Sequence, residues 1–378
     1  MGGFLSNTLS IMIDLDHQLH RFGYWLVDGI PVYNKSQAAY QATIKNTHDV
    51  RFYFNDHVYD NFDWQVSIPQ TLKELYANRA RQLRDQYQHL VVLYSGGSDS
   101  SNALAAMLEA GILPDEIVYH WAGGADSQKN TANAEIINAA WPMLEHLSHE
   151  YNVKITCFDE YDLYQKFGFN NSEWILQADA VLNPCTYPRY QMLQNHRPWL
   201  DIVQQGQRVG LVMGIDKPRV LWENNQWWGT FLDVGFQHNF YQDHIQDSGI
   251  TIEGFYSTPN SPLITIKQSQ VLKNYLDSTY DLDFRRQNFT RSSWNGELYN
   301  TLVRRICYPY WNDATFSIGK SHVIYDRKHL WWLENNNELS QNYFSGLDWI
   351  NQNIDPWFLN QGTVYHGYRG VFSRTYKL

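Results

Sequence analysis

The sequence predicts an α/β fold: a parallel five-stranded sheet with a small α+β region before it and a mainly helical region after it. Three observations lead there. From His89 onward, short apolar runs of strand length alternate with helix-length segments, the pattern of strands joined by crossover helices. The first run passes straight into Ser95-Gly96-Gly97-Ser98-Asp99-Ser100-Ser101, a glycine-rich turn that opens a helix. Apolar residues make up 43% of the 378, enough for a sizeable core.

Residues 1–88 read as the α+β lead-in. Two short apolar runs between Phe22 and Tyr33 flank Asp28-Gly29, a hairpin signal, and Val50–Phe54 reads as another strand. Leu72–Tyr87 places Leu72, Leu75, Tyr76, Ala80, Leu83 and Tyr87 on one helical face. Residues 89–240 carry the sheet. Its first four strands are Leu90–Tyr94, Glu116–Trp121, Val153–Phe158 and Val209–Met213. Val220–Trp222 reads as the fifth, opening a hairpin through Asn224-Asn225 to Trp227–Phe231. Between them, Asn102–Glu109 is helix-like and Asn130–Glu150 is a helix that Pro142 kinks or splits. Residues 241–378 are aromatic-rich, with helices at Pro262–Ser278, Glu297–Cys307 and Glu338–Asn353 that pack on the sheet and form no independent fold.

Composition narrows the function. A net charge of −10 counts against binding along a phosphate backbone, so nucleic acid is not a favoured partner. The 16% aromatic content points to aromatic packing and to a stacking site for a ring. The three cysteines, Cys157, Cys185 and Cys307, form no C-x-x-C pair, which leaves a zinc ribbon unsupported and counts against a disulfide framework. Cys157 reads as a buried strand residue. No apolar run approaches a membrane span and no signal peptide is visible, so the reading is a cytoplasmic protein with no membrane partner.

The chemistry lies in two turns. In Ser95–Ser101, glycines let the backbone approach an anion, the hydroxyls of Ser95, Ser100 and Ser101 can donate to phosphate oxygens, and the helix start supplies positive potential. Asp99 beside an anion calls for an intervening cation, read as Mg²⁺. The second turn ends the strand-like Val209–Met213 with Gly214, Asp216 and Lys217.

At these residues the chain resembles a known family. S-G-G-S-D-S-S is similar to the PP-loop of the N-type ATP pyrophosphatases, which include asparagine synthetase, β-lactam synthetase, GMP synthetase, NAD synthetase and tRNA-thiolating enzymes. The likeness covers roughly residues 85–235, and the loop is its specific part. It implies a HUP-type, Rossmann-like sheet of order 3-2-1-4-5. ATP would be cleaved between its α and β phosphates to adenylate a substrate oxygen, with AMP then displaced by a nucleophile. It further implies that Ser95, Gly96, Gly97, Ser98, Asp99, Ser100 and Ser101 hold the pyrophosphate portion and that Asp99 positions Mg²⁺. In that order the first and fourth strands are neighbours at the topological switch point, so Gly214, Asp216 and Lys217 would face the loop. Gly214 is then a phosphate-site residue, Asp216 a second metal ligand and Lys217 a catalytic phosphate clamp. Adenine would lie at the end of the second strand, near His120, Trp121 and Ala122, with Trp121 as the base contact.

Other segments yield weaker candidates. Arg189 could contact substrate or phosphate, although an arginine before a helix is more often a surface ion-pair partner. Ala314–Ser321 resembles a relaxed Walker A, but Ala314 stands where the first glycine belongs and strand-like His322–Tyr325 follows where a helix should. Its Lys320 remains a candidate catalytic lysine that could reach the leaving pyrophosphate. The likeness to asparagine synthetase lacks a glutaminase: Gly2 follows Met1, and no cysteine precedes Cys157. Nitrogen would come from free ammonia, a substrate amine or a separate glutaminase. The reading is therefore an ATP- and Mg²⁺-dependent, AMP-forming ligase that joins a small acceptor to nitrogen. Two alternatives stay open. One is a tRNA- or nucleobase-modifying enzyme of the thiolation type using Cys185 and Cys307. The other is a non-catalytic nucleotide sensor.

Overall fold

A computed structural model describes residues 21–121, 123, 133, 136–167, 176, 192–193, 195–215, 217–233, 249–311, 337–360 and 367–378. The lead-in begins with β1 (Tyr24–Val27) and β2 (Ile30–Val32), joined through Asp28 and Gly29 at φ 50° and 78°. Two consecutive positive φ values are what a two-residue hairpin turn of this hand requires. Helix α1 (Lys35–Ile44) is capped by the Asn34 side chain, and β3 (Val50–Tyr53) pairs antiparallel with β1. After the single turn α2 (Asp56–Tyr59), α3 (Leu72–Gln86) starts at a capping box in which Thr71 and Glu74 satisfy each other's backbone N–H groups.

The central sheet follows. Its strands are β4 (His89–Leu93), β5 (Glu116–Trp121), β6 (Lys154–Asp159) and β7 (Val209–Met213), with β10 (Ile250–Gly254) arriving later in the chain. Their spatial order is β6-β5-β4-β7-β10, and every pairing is parallel. The connections carry α4 (Ser98–Glu109), α5 (Trp141–Tyr151), α6 (Glu160–Phe167) and α7 (Arg197–Gln204). Pro142 sits in the first turn of α5, after a π-helical turn at Ile136–Ala140, so the predicted long helix is split there. Alternate strand residues serve opposite faces. Leu90, Val92, Ile117 and Val212 pack into the main core, while Val91, Val118, Leu211 and Ile252 pack around Trp199 on the other side.

The predicted fifth strand is corrected. Val220–Trp222 lies in β8 (Arg219–Glu223), which forms a hairpin with β9 (Gln226–Thr230) in a separate antiparallel sheet of order β11-β9-β8, where β11 is Tyr376–Lys377. Asn224 and Asn225, at φ 51° and 57°, close that hairpin; joining the parallel sheet would have required a crossover. The fifth position belongs to β10, buried along its whole length, so the parallel sheet draws a strand from beyond residue 240. Glu253 interrupts the apolar run of β10, and it is buried because Arg21, Arg79 and Tyr87 surround it at 3.0, 2.9 and 2.5 Å. Burial alone would raise its pKa; Arg21 and Arg79 hold it below the usual carboxylate range.

Helices α8 (Pro262–Thr279), α9 (Leu282–Asn288), α10 (Gly296–Cys307) and α11 (Asn337–Asn353) make the later part of the chain helical. Leu302, Leu347, Ile350 and Leu378 share one continuous core with Trp25, Leu75 and Leu90. A buried ion pair between Lys35 and Asp233, with Trp25 Nε1 donating to Asp233 at 2.7 Å and Val371 N at 2.9 Å, ties the first sheet to the chain's last described segment. Among the described residues no helix is long and apolar enough to cross a membrane. Cys157, expected to be buried, is exposed on β6; that strand pairs only with β5 among the described residues, so its outer side is a sheet edge.

Candidate anion-binding site

Strands β4 and β7 lie side by side at the sheet's centre, with Leu93 opposite Met213, and the chain leaves β4 toward β5 but leaves β7 toward β10. This is a topological switch point, where two loops part and leave a crevice beyond the strands' carboxyl ends. The first loop passes through Gly96 at φ 76°, a conformation suited to glycine, and reaches Gly97, the extended N-cap of α4. Gly97 contributes no side-chain cap, so the amino end of this 12-residue helix offers backbone N–H groups to an acceptor.

The loop's hydroxyls divide in two. Ser100 and Ser101 are buried and brace the turn: Ser100 Oγ donates to Gly97 O at 3.2 Å, and Ser101 Oγ donates to Gly96 O at 3.2 Å. Ser95 is exposed; its Oγ accepts from Gly97 N at 3.2 Å and lies 3.1 Å from Ser100 Oγ. Ser98 is partly open. The hydroxyl best placed for an external anion is therefore Ser95, with Ser98 beside it, while the two later serines hold the loop's shape.

The second loop closes on the first. A Cβ on Gly214 would lie 2.7 Å from Ser100 N and 2.8 Å from Asp99 O, so this glycine's backbone rests directly on the first turn of α4. Three residues on, Lys217 is nearly buried and its Nζ donates to both Asp99 oxygens, at 2.9 and 3.1 Å. Arg219 shapes the turn by donating to Lys217 O at 2.8 Å, and Tyr299 donates to Pro218 O at 2.5 Å.

Two tyrosines not singled out in the sequence complete the site. Tyr308, just after α10, donates to Asp99 Oδ1 at 2.5 Å. Tyr256, just after β10, donates to Asp99 O at 2.8 Å and receives Asn102 Nδ2 at 2.9 Å. Their rings stack 5.3 Å apart at 20°. Burial pushes both phenols well above their ordinary pKa, with the Asp99 charge adding to the shift, so both remain neutral donors. No local motif marks either residue, because each meets the loop across more than 150 positions of sequence.

The structure thus brings Ser95–Ser101, Gly214 and Lys217 together at one crevice. Trp121, at the end of β5, is 8% exposed and stacks on Trp141 at 5.1 Å. His120 has Nδ1 3.8 Å from Glu160 Oε1. Asp216, Lys320, Arg189, Cys185, Ala122 and the Walker-like Ala314–Ser321 lie outside the described residues. Cys307 is fully buried beneath the site and its thiol is pushed up by burial, which makes it a poor sulfur carrier.

Glu116 is held low, at about 2: burial would raise it, but His89, Thr156, Trp199 and Lys154 donate to it. It stands at the amino end of β5, opposite the crevice, and serves to bind strands β4, β5 and β6 to α7. Among the described residues no group of three or more His, Cys, Asp or Glu side chains could hold a metal ion. Asp99, with both oxygens on Lys217 and one on Tyr308, does not fit a resident divalent ion.

The fold and crevice define the class no further than an α/β protein with a glycine-containing loop at the switch point of its parallel sheet. No protein-family model matches the chain, and no curated protein matches it.

Proposed function

We propose that this chain is an AMP-forming, ATP-dependent ligase of the N-type ATP pyrophosphatase kind, with a HUP-type sheet. The observation that carries the reading is the meeting of the uncapped α4 amino end, the Gly214 backbone and Lys217 at the switch point between β4 and β7. Backbone N–H groups and one lysine converging on a crevice suit the pyrophosphate half of ATP, and the loop's sequence supports that ligand. An acceptor oxygen, most simply a carboxylate, would attack the α-phosphorus. The α–β bridging bond breaks, its electrons leave with pyrophosphate, and the acceptor becomes an adenylate. A nitrogen nucleophile then attacks the activated carbon, AMP departs and the nitrogen loses a proton. The loop's donors and Lys217 stabilise the charge growing on pyrophosphate, and positioning does the rest. Mg²⁺ enters this scheme as the nucleotide's own partner.

The test is to supply ATP, Mg²⁺, a panel of carboxylates and ammonia or amines, and to measure the products. AMP and pyrophosphate in equal amounts, falling about 100-fold in Lys217→Ala, support the reading. Release of ADP and inorganic phosphate overturns it. ATP binding without turnover on any acceptor favours the nucleotide sensor. Burial of Cys307 weighs against the thiolation alternative.

A further inference from the structure

Asp99 occupies the position where an anion-binding loop with an acidic residue calls for a cation, and the structure already supplies one. Lys217 Nζ bridges both carboxylate oxygens at 2.9 and 3.1 Å, and Lys217 as a residue is only 8% exposed. A lysine this buried is retained only with an opposite charge beside it. Its backbone is fixed as well: Arg219 donates to Lys217 O, and Tyr299 holds Pro218 O. On the other side Tyr308 donates to Oδ1 from a fully buried phenol, itself braced by stacking on Tyr256.

We infer that Lys217 is the resident counter-cation of Asp99, standing where a divalent ion would otherwise bind, so that the ligand-free protein excludes Mg²⁺. Two arguments carry this. A divalent ion on Asp99 would share the carboxylate with an ammonium about 3 Å from it, and like charges at that range repel strongly in a partly dry site. Swinging Lys217 into bulk water would also take from the Asp99 carboxylate the ammonium that both its oxygens accept from. Tyr308 is a neutral donor to Oδ1, so removal of the lysine takes away the ammonium charge that competes with a cation at Asp99. Asp99 is thus a positioning residue. It holds the ammonium at the mouth of the crevice, ready for phosphate oxygens, and divalent ions are admitted only when nucleotide carries them in. That last clause rests on the ATP reading; the exclusion of metal from the free protein does not.

The experiment titrates Mn²⁺ into the full ligand-free chain and reads free Mn²⁺ by electron paramagnetic resonance. Lys217→Met, which keeps the volume and removes the charge, should bind Mn²⁺ about ten-fold or more tightly than wild type. Lys217→Arg should restore exclusion, and adding Asp99→Asn to Lys217→Met should abolish the new site. Equal Mn²⁺ affinity in wild type and Lys217→Met overturns the inference. So does a wild-type Mn²⁺ site that Asp99→Asn removes, a comparison that stands even if Lys217→Met fails to fold. Repeating the wild-type titration with ATP present separates the two ideas. Failure of ATP to bind overturns the ligase reading, while the metal-only comparison still decides the role of Lys217.

Discussion

Gly214 shows how narrow the tolerance of the crevice is. Its missing side chain lets the β7 loop touch the backbone of Asp99 and Ser100, so a methyl there must displace either that loop or the amino end of α4. Gly214→Ala should cost about 1–3 kcal/mol in urea unfolding, and weaken pyrophosphate binding by at least about ten-fold, measured calorimetrically. Retained affinity with lowered stability would show that the anion does not bind between these loops. At this scale the sequence was legible where chemistry is local. The Ser95–Ser101 turn announces itself because strand, glycines and helix start are consecutive. The pairing of Asp99 with Lys217, and the grip of Tyr256 and Tyr308, were not legible, since a phenol's partner is set by how distant elements pack. The stacking of Trp121 on Trp141 was not legible for a related reason: an aromatic at a strand's carboxyl end has the same sequence signature whatever ring it meets.

Among the elements, β10 carries the clearest risk. It brings a carboxylate into the core, and Arg79, with no exposed side-chain surface, depends on it. Glu253→Gln removes the charge and leaves that guanidinium buried without its counter-ion. The expected loss is about 3–5 kcal/mol, seen as a lower urea midpoint. A loss under about 1 kcal/mol would mean that hydrogen bonds, not charge, hold the strand. The same glutamate explains why β10 escaped the sequence reading: an acid in the middle of a short run argues for a surface strand unless its arginines are known. Conversely, the β8–β9 hairpin was legible through Asn224-Asn225, and only its sheet was misassigned, because turn chemistry fixes a hairpin but not the neighbours it joins.

Over the whole molecule, one core runs from the first sheet through the parallel sheet to the last residues. Tyr368, Tyr376 and Leu378 are buried in it, and Leu378 N donates to Trp227 O at 3.0 Å. Deleting residues 367–378 exposes the open side of β9 and should cost about 5 kcal/mol or more, from three large side chains at 1.5–3 kcal/mol each. Tryptophan fluorescence and far-ultraviolet dichroism should then report a single, earlier transition. Two separated transitions would show that the helical part folds by itself. The general architecture was readable from the βα rhythm, whereas the mutual embrace of the chain's first and last described segments depends on Lys35 meeting Asp233, a pairing no local pattern encodes.

The crevice draws on four stretches of chain: the loop at 95–101, Gly214 with Lys217, Tyr256 and Tyr308. On a ribosome these emerge one after another. A nascent chain that has just released β7 carries the glycine-rich loop but neither phenol, and its central sheet still lacks an outer strand. Asp99 would at that stage have no fixed orientation. On the ATP reading, capacity to hold a polyphosphate should therefore switch on late in synthesis, as Tyr308 docks, and truncated translation products should be unable to sequester or waste nucleotide.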